Sequence, residues 1–126
     1  MRATLALPIL ALLLTGCSDP APEYDRKMAF KTEKSDPVLG LALFNANCKA
    51  CHGSGALGSK LGPPLIHRIY EPGHHADFSF YRAVKNGVRG HHWNFGDMPP
   101  VPAVSVEQAG HIIAYIRQQQ RLAGIE

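Results

Sequence analysis

The sequence predicts a small all-α domain, and three observations carry that expectation. Capping residues stand ahead of helix-like runs near Asp36, Asp77 and Ser105. The last of these runs repeats apolar residues at helical spacing, and no segment alternates with the two-residue period of a half-buried strand. Glycine and proline concentrate between the runs, which makes the connections long and irregular.

The first helix is expected to start at Asp36-Pro37. The carboxylate is an N-cap acceptor, and proline suits the first helical position because it needs no donor there. Leu41 and Phe44 are expected to share a face with Val38 and Gly40 one turn earlier, and the helix to continue toward Cys48. Residues 53–72 hold Gly53, Gly55, Gly58, Gly62, Pro63, Pro64 and Pro72. An irregular stretch of that length needs something to pack on, and a flat apolar cofactor would serve. A second helix is expected from Asp77, as N-cap, to Asn86, with Gly87 ending it in the left-handed conformation. Pro99, Pro100 and Pro102 exclude regular helix in residues 88–102. The last helix opens on a capping box, Ser105 with Gln108. Val106, Ala109, Ile112, Ile113 and Ile116 form its apolar stripe, Glu107, His111, Gln118 and Arg121 its outer face, and Gly124 its stop.

A chain of 126 residues implies one domain with accessories. Thirteen basic against ten acidic side chains give a net charge of +3, too small and too scattered for a phosphate-tracking surface, so nucleic acid is not an expected partner. Arg2 followed by the apolar run Ala3 to Leu14 has the form of an export signal, too short for a permanent membrane span. Leu14-Thr15-Gly16-Cys17 resembles the lipobox of bacterial lipoproteins, which implies cleavage before Cys17 and lipidation of its sulfur. The expected organisation is a signal peptide over 1–16, a lipidated flexible tether over 17–35 and a folded domain over 36–126. Ser18 to Ser35 is polar and proline-bearing, with too little apolar surface to fold alone. Fully extended it reaches at most roughly 60 Å. The expected location is the periplasmic side of a bacterial membrane, anchored at Cys17.

Three cysteines are an odd number for an exported chain. Lipidation of Cys17 leaves Cys48 and Cys51, and Cys48-Lys49-Ala50-Cys51-His52 matches the c-type haem attachment motif. The two-residue gap lets both thiols reach two vinyl groups on one porphyrin edge, and the next residue offers an imidazole to the iron. A zinc site would need a second ligand pair that is missing in finger-like spacing. A thioredoxin-like dithiol would need a strand-helix-strand setting that the pattern does not supply. Haem c, one per chain and covalent, is therefore the expected cofactor, with His52 as an axial ligand.

From Asp36 to Gly124 the chain resembles the class I c-type cytochromes, in a lipoprotein form. Gly40 and Phe44 resemble that family's first-helix glycine and aromatic, and Tyr115 the aromatic of its last helix. The resemblance implies that these meet where the terminal helices cross. Gly62-Pro63-Pro64-Leu65 resembles the family's Gly-Pro-x-Leu turn, which implies that the Pro63 carbonyl accepts from Nδ1 of His52. Met98, in Gly96-Asp97-Met98-Pro99-Pro100, resembles the axial methionine on the loop before the last helix. Of the three methionines, Met1 leaves with the signal and Met28 lies in the tether. Met/His ligation raises the reduction potential, because the soft thioether favours reduced iron.

His67, His74, His75, His91, His92 and His111 depart from the generic family pattern. His91 and His92, close before Met98, are its competitors for the sixth iron position, and the paired histidines are also candidates for a second metal such as copper. Ordinary hydrogen-bonding or surface roles are the stronger expectation, since chain adjacency creates no metal geometry. Tyr70, Tyr81, Trp93 and Phe95 are candidate walls of the haem pocket, and Arg68, Arg82 and Arg89 candidate partners of its propionates.

The functional expectation is a membrane-tethered single-electron carrier, not an enzyme, that shuttles between redox protein partners such as an oxidase, reductase or dehydrogenase. Lys49, Lys60 and Lys85 are candidate docking charges for encounters that are small and salt-sensitive. Two alternatives stand beside it: a gas-binding or peroxide-reactive haem protein with a labile sixth ligand, and a histidine-rich metal-binding lipoprotein.

Overall fold

The computed structural model describes residues 34–126. The expected signal peptide, the lipidation site Cys17 and the tether up to residue 33 lie outside the described residues. Four α-helices are present among them: α1 (Pro37–Asn47), α2 (Lys49–His52), α3 (Asp77–Asn86) and α4 (Val106–Leu122). Two single 3-10 turns, Ser54–Ala56 and Arg68–Tyr70, punctuate the long connection between α2 and α3. The only bridge-type pairing among the described residues is the isolated antiparallel pair Val88–Met98. None of the described helices is long and apolar enough to cross a membrane.

Local chemistry starts the helices where the sequence suggests, with one correction. Asp36 Oδ1 accepts from Val38 N at 2.8 Å, with Pro37 at the first helical position. Ser105 and Gln108 close their capping box in both directions, at 3.2 and 2.9 Å. At α3, however, the N-cap is Ala76, and Asp77 is the first helical residue. Its carboxylate accepts from Arg117 Nε at 2.7 Å instead. A charge-assisted bond to guanidinium outweighs a local cap. Gly87 ends α3 with φ 75° and ψ −179°, a positive-φ extended conformation, not the left-handed helical one.

The domain is organised by α4, which packs across α1 and also against α3. Only Gly40 and Phe44 of α1 are buried; Val38 and Leu41, expected to share their face, are exposed. The crossing explains this narrow contact. A Cβ on Gly40 would stand 1.9 Å from the His111 carbonyl oxygen, so only glycine lets the two backbones approach so closely. One turn on, the Phe44 and Tyr115 rings pack at 5.4 Å. Asp36 N also donates to His111 Nδ1 at 2.8 Å, fixing the start of α1 on α4.

The α4 stripe runs as its periodicity predicts: Ala109, Ile112, Ile113 and Ile116 are buried. Full burial of each branched side chain contributes about 1.5–3 kcal/mol. The same face also buries two polar residues that its pattern does not reveal, Arg117 and Gln120, which are 6 % and 1 % exposed. Arg117 donates to Asp77, to Gln120 Oε1 (2.6 Å) and to the carbonyls of Tyr70 (2.6 Å) and His75. Gln120 Nε2 donates to the carbonyls of Leu65 (2.9 Å) and Tyr70 (3.0 Å). Together they supply donors to the Leu65, Tyr70 and His75 carbonyls of the 65–75 loop, whose regular structure is confined to the turn Arg68–Tyr70.

Candidate functional site

Between α4, α3 and the two irregular segments lies a cavity of about 630 Å³. Ile112, Ile113 and Ile116 of α4 and Val84 of α3 give it apolar walls.

One side is built by the end of α1 and the single turn of α2. Cys48 N donates to Phe44 O (2.8 Å) and His52 N to Cys48 O (2.9 Å), so the chain runs from one helix into the next around Cys48. That turn brings Cys48, Cys51 and His52 to the cavity together. The loop behind is tied back to it: Gly58 N donates to His52 O at 2.8 Å, and Ser59 Oγ to Cys51 O at 2.6 Å.

His52 is buried, and its Nδ1 lies 2.9 Å from the Pro63 carbonyl oxygen. A carbonyl can only accept, so Nδ1 carries the proton and Nε2 keeps its lone pair. Burial lowers the His52 pKa from its ordinary value, and the bond to Pro63 opposes this in part. Burial thereby favours the neutral imidazole, the form that binds metal. Burial, and then charge on neighbouring Cys51, push the Cys48 thiol up to about 11. A redox-active dithiol has the reverse property, a lowered thiol.

Met98, half-buried on the 87–100 segment, also lines the cavity. Met98 and Val88 exchange both backbone bonds at 2.9 Å. A Cβ on Gly87 would stand 2.4 Å from Met98 O, and its positive φ disfavours any other residue. Val101 N donates to Val84 O at 2.8 Å, which fastens the segment's exit to α3.

Of the other candidates, Tyr70, Trp93, Phe95, Arg82 and Arg89 line the cavity. Tyr81 instead sits in the helical core, and Arg68 is not part of the cavity wall. Trp93 Nε1 donates to the Tyr70 hydroxyl at 3.1 Å, joining the two irregular segments. Burial raises the Tyr70 pKa, while that bond lowers it. Lys49, Lys60 and Lys85 are exposed. His111 packs at the helix crossing, away from the cavity. His75, His91 and His92 line it, with His74 beside them.

The residues fit a flat, apolar, covalently held group. Two thiols three positions apart share a helical turn, an imidazole with its other nitrogen engaged follows directly, and apolar walls enclose the space. The family model for cytochrome c matches residues 38–120. The chain belongs to the cytochrome c family. Its cofactor is accordingly haem c, attached through the pattern Cys48-x-x-Cys51-His52. The cytochrome is a haem electron carrier of all-α fold. It is also similar to the cbb3-type cytochrome c oxidase subunit CcoP of Azospirillum sp. (strain B510), 32 % identical over 69 residues. That match covers 50 % of this chain and 23 % of the relative, so the cytochrome spans under a quarter of the protein it resembles. No solved structure matches it.

The sequence did not reveal Arg117 and Gln120, because a lone Arg and Gln on a helix read as solvent-facing. The three-residue spacing between them was the sole available signal.

Proposed function

We propose that this cytochrome is a membrane-tethered single-electron carrier whose iron is held between His52 and Met98. The observation that supports the reading is the cavity itself: Cys48, Cys51, His52 and Met98 all line it. When bound, the haem supplies an iron that alternates between Fe(II) and Fe(III). The chain's own residues do the rest. Cys48 and Cys51 fix the group's edge and orientation. Pro63 O holds the His52 ring in one tautomer and raises its basicity as a ligand. The Val88–Met98 pair positions the thioether, and the isoleucines of α4 exclude water. His52, held by Pro63 on its ring and by Gly58 on its carbonyl, moves little between oxidation states.

Exposed Lys49 and Lys60 offer charge near the attachment turn for a transient, salt-sensitive encounter with a redox protein. The likeness to an oxidase subunit favours a respiratory oxidase as that partner. Cys17, within its lipobox-like sequence, would anchor the chain on the periplasmic side of the membrane through lipid.

The test is an absorption spectrum of membrane-extracted protein, oxidised and reduced, with and without Met98→Ala. The wild type is expected to show the long-wavelength sulfur-to-iron band of Met ligation, and the variant to lose it. Its potential should fall on the order of 0.1 V, within the ~0.8 V that axial ligands span. A band that persists in the variant overturns the Met98 assignment. Labelled fatty acid fed to the cells should be incorporated into the wild type and not into Cys17→Ala; a wild type that takes up no label overturns the anchor.

A further inference from the structure

The two histidine pairs, 17 positions apart in the chain, come together at the edge of the cavity. His74 and His75 stack at 4.7 Å between ring centroids, and His92 meets their edges at 5.3 and 5.2 Å. One ring nitrogen from each of His74, His75 and His92 lies within 4.8 Å of the others. We propose that these three imidazoles form a binding site for one divalent first-row transition cation, copper(II) or zinc(II), distinct from the haem iron.

The distances suit one ion. Two nitrogens at about 2.1 Å from a common metal stand roughly 3.4 Å apart in a tetrahedral arrangement and at most about 4.2 Å apart. The rings therefore need to close by about 1 Å. His74 and His92 are exposed and free to swing that far, while His75 is fixed.

The fixed member has the support that metal-binding histidines have. His75 Nδ1 donates to the Ile69 carbonyl at 2.6 Å, which leaves Nε2 as the ligand atom. The buried guanidinium of Arg117 donates to the His75 backbone carbonyl and holds that stretch of chain against α4. The loop bearing His92 is tied to the same stretch through Trp93, which donates to Tyr70 and packs edge-on against His67 at 5.1 Å. The two halves of the site are thus in register before an ion arrives. All-imidazole donors suit copper and zinc and not the hard cations magnesium and calcium. Copper(II) should bind more tightly than zinc(II) by the general order of divalent affinities. The site does not depend on Met98 ligation, so either reading can fail alone.

The test uses the haem-loaded full chain, stripped of adventitious metal with a chelator and titrated separately with copper(II) and zinc(II) salts. One ion per chain is expected, and the copper(II) form should show an electron paramagnetic resonance signal split by nitrogen ligands. His74→Gln and His92→Gln should each weaken binding at least about tenfold. Both side chains are exposed, so folding is preserved, and an unchanged haem spectrum verifies this. His111→Gln, remote at the helix crossing, should bind as the wild type does. Absence of stoichiometric binding of both cations, or equal binding by all variants, overturns the site. A haem spectrum that changes with added metal equally in wild type and His92→Gln also overturns it, since the ion is then acting at the haem.

Discussion

The two sides of the cavity are held in different ways. On the Cys48–Pro63 side, the functional residues continue a helix, and His52 is buried with Nδ1 at Pro63 O and its carbonyl accepting from Gly58. On the Met98 side there is no helix. A single pair of backbone bonds to Val88 and the close approach of Gly87 hold the thioether. The first side cannot move without unwinding the junction of two helices; the second can shift by opening one bridge. One ligand is therefore built into the fold, and the other is adjustable on top of it.

The largest effect that separates the two sides should come from the Cys48→Ser, Cys51→Ser double change. Covalent haem should be lost entirely, read as haem staining on a denaturing gel, and the domain should fail to accumulate. Haem staining in that variant would break the attachment assignment. Gly87→Val attacks the other side. Its side chain meets Met98 O and a φ of 75°, so a stability loss of about 1–3 kcal/mol is expected by thermal melting. Covalent haem should remain while the sulfur-to-iron band weakens. If the band and the melting temperature are both unchanged, the Met98 side is not held at Gly87.

Trp93→Phe removes the bond to the Tyr70 hydroxyl and should cost about 1 kcal/mol, measured by denaturant titration. Covalent attachment should not respond to it. The mildest effect is on pH dependence. Burial lowers the folded-state pKa of His52 below 6.5, so on acidification the unfolded chain takes up this proton first. The contribution is flat above that value, and stability declines below it until the folded-state pKa is passed. Protonation also competes with iron, in the same direction. Denaturant midpoints at about pH 7.5 and about pH 5, either side of the ordinary histidine value, should show the loss, and it should be smaller in His52→Ala.

Much of the architecture was legible because local chemistry writes it. Asp36-Pro37 and Ser105 with Gln108 cap helices through atoms within three residues of each other, and tertiary context has little to add. The α4 stripe was legible for the same reason. Asp77 was misread because its partner, Arg117, lies 40 positions away. Val38 and Leu41 were misread because the crossing at Gly40 is so close that α1 touches α4 along a narrow line.

The site divides in the same way. The spacing Cys48-x-x-Cys51-His52 determines its own geometry, since three residues on one helical turn have little freedom. The sequence by itself therefore determined the class of helix, the attachment pattern and the domain's cofactor. The tertiary structure alone decided that Met98 shares a cavity with His52, that Arg117 is buried as a clamp on the 65–75 loop, and that His74, His75 and His92 meet. Those outcomes depend on how irregular segments pack against α4. Such segments have no period of their own, so nothing in their order along the chain states which of them become neighbours.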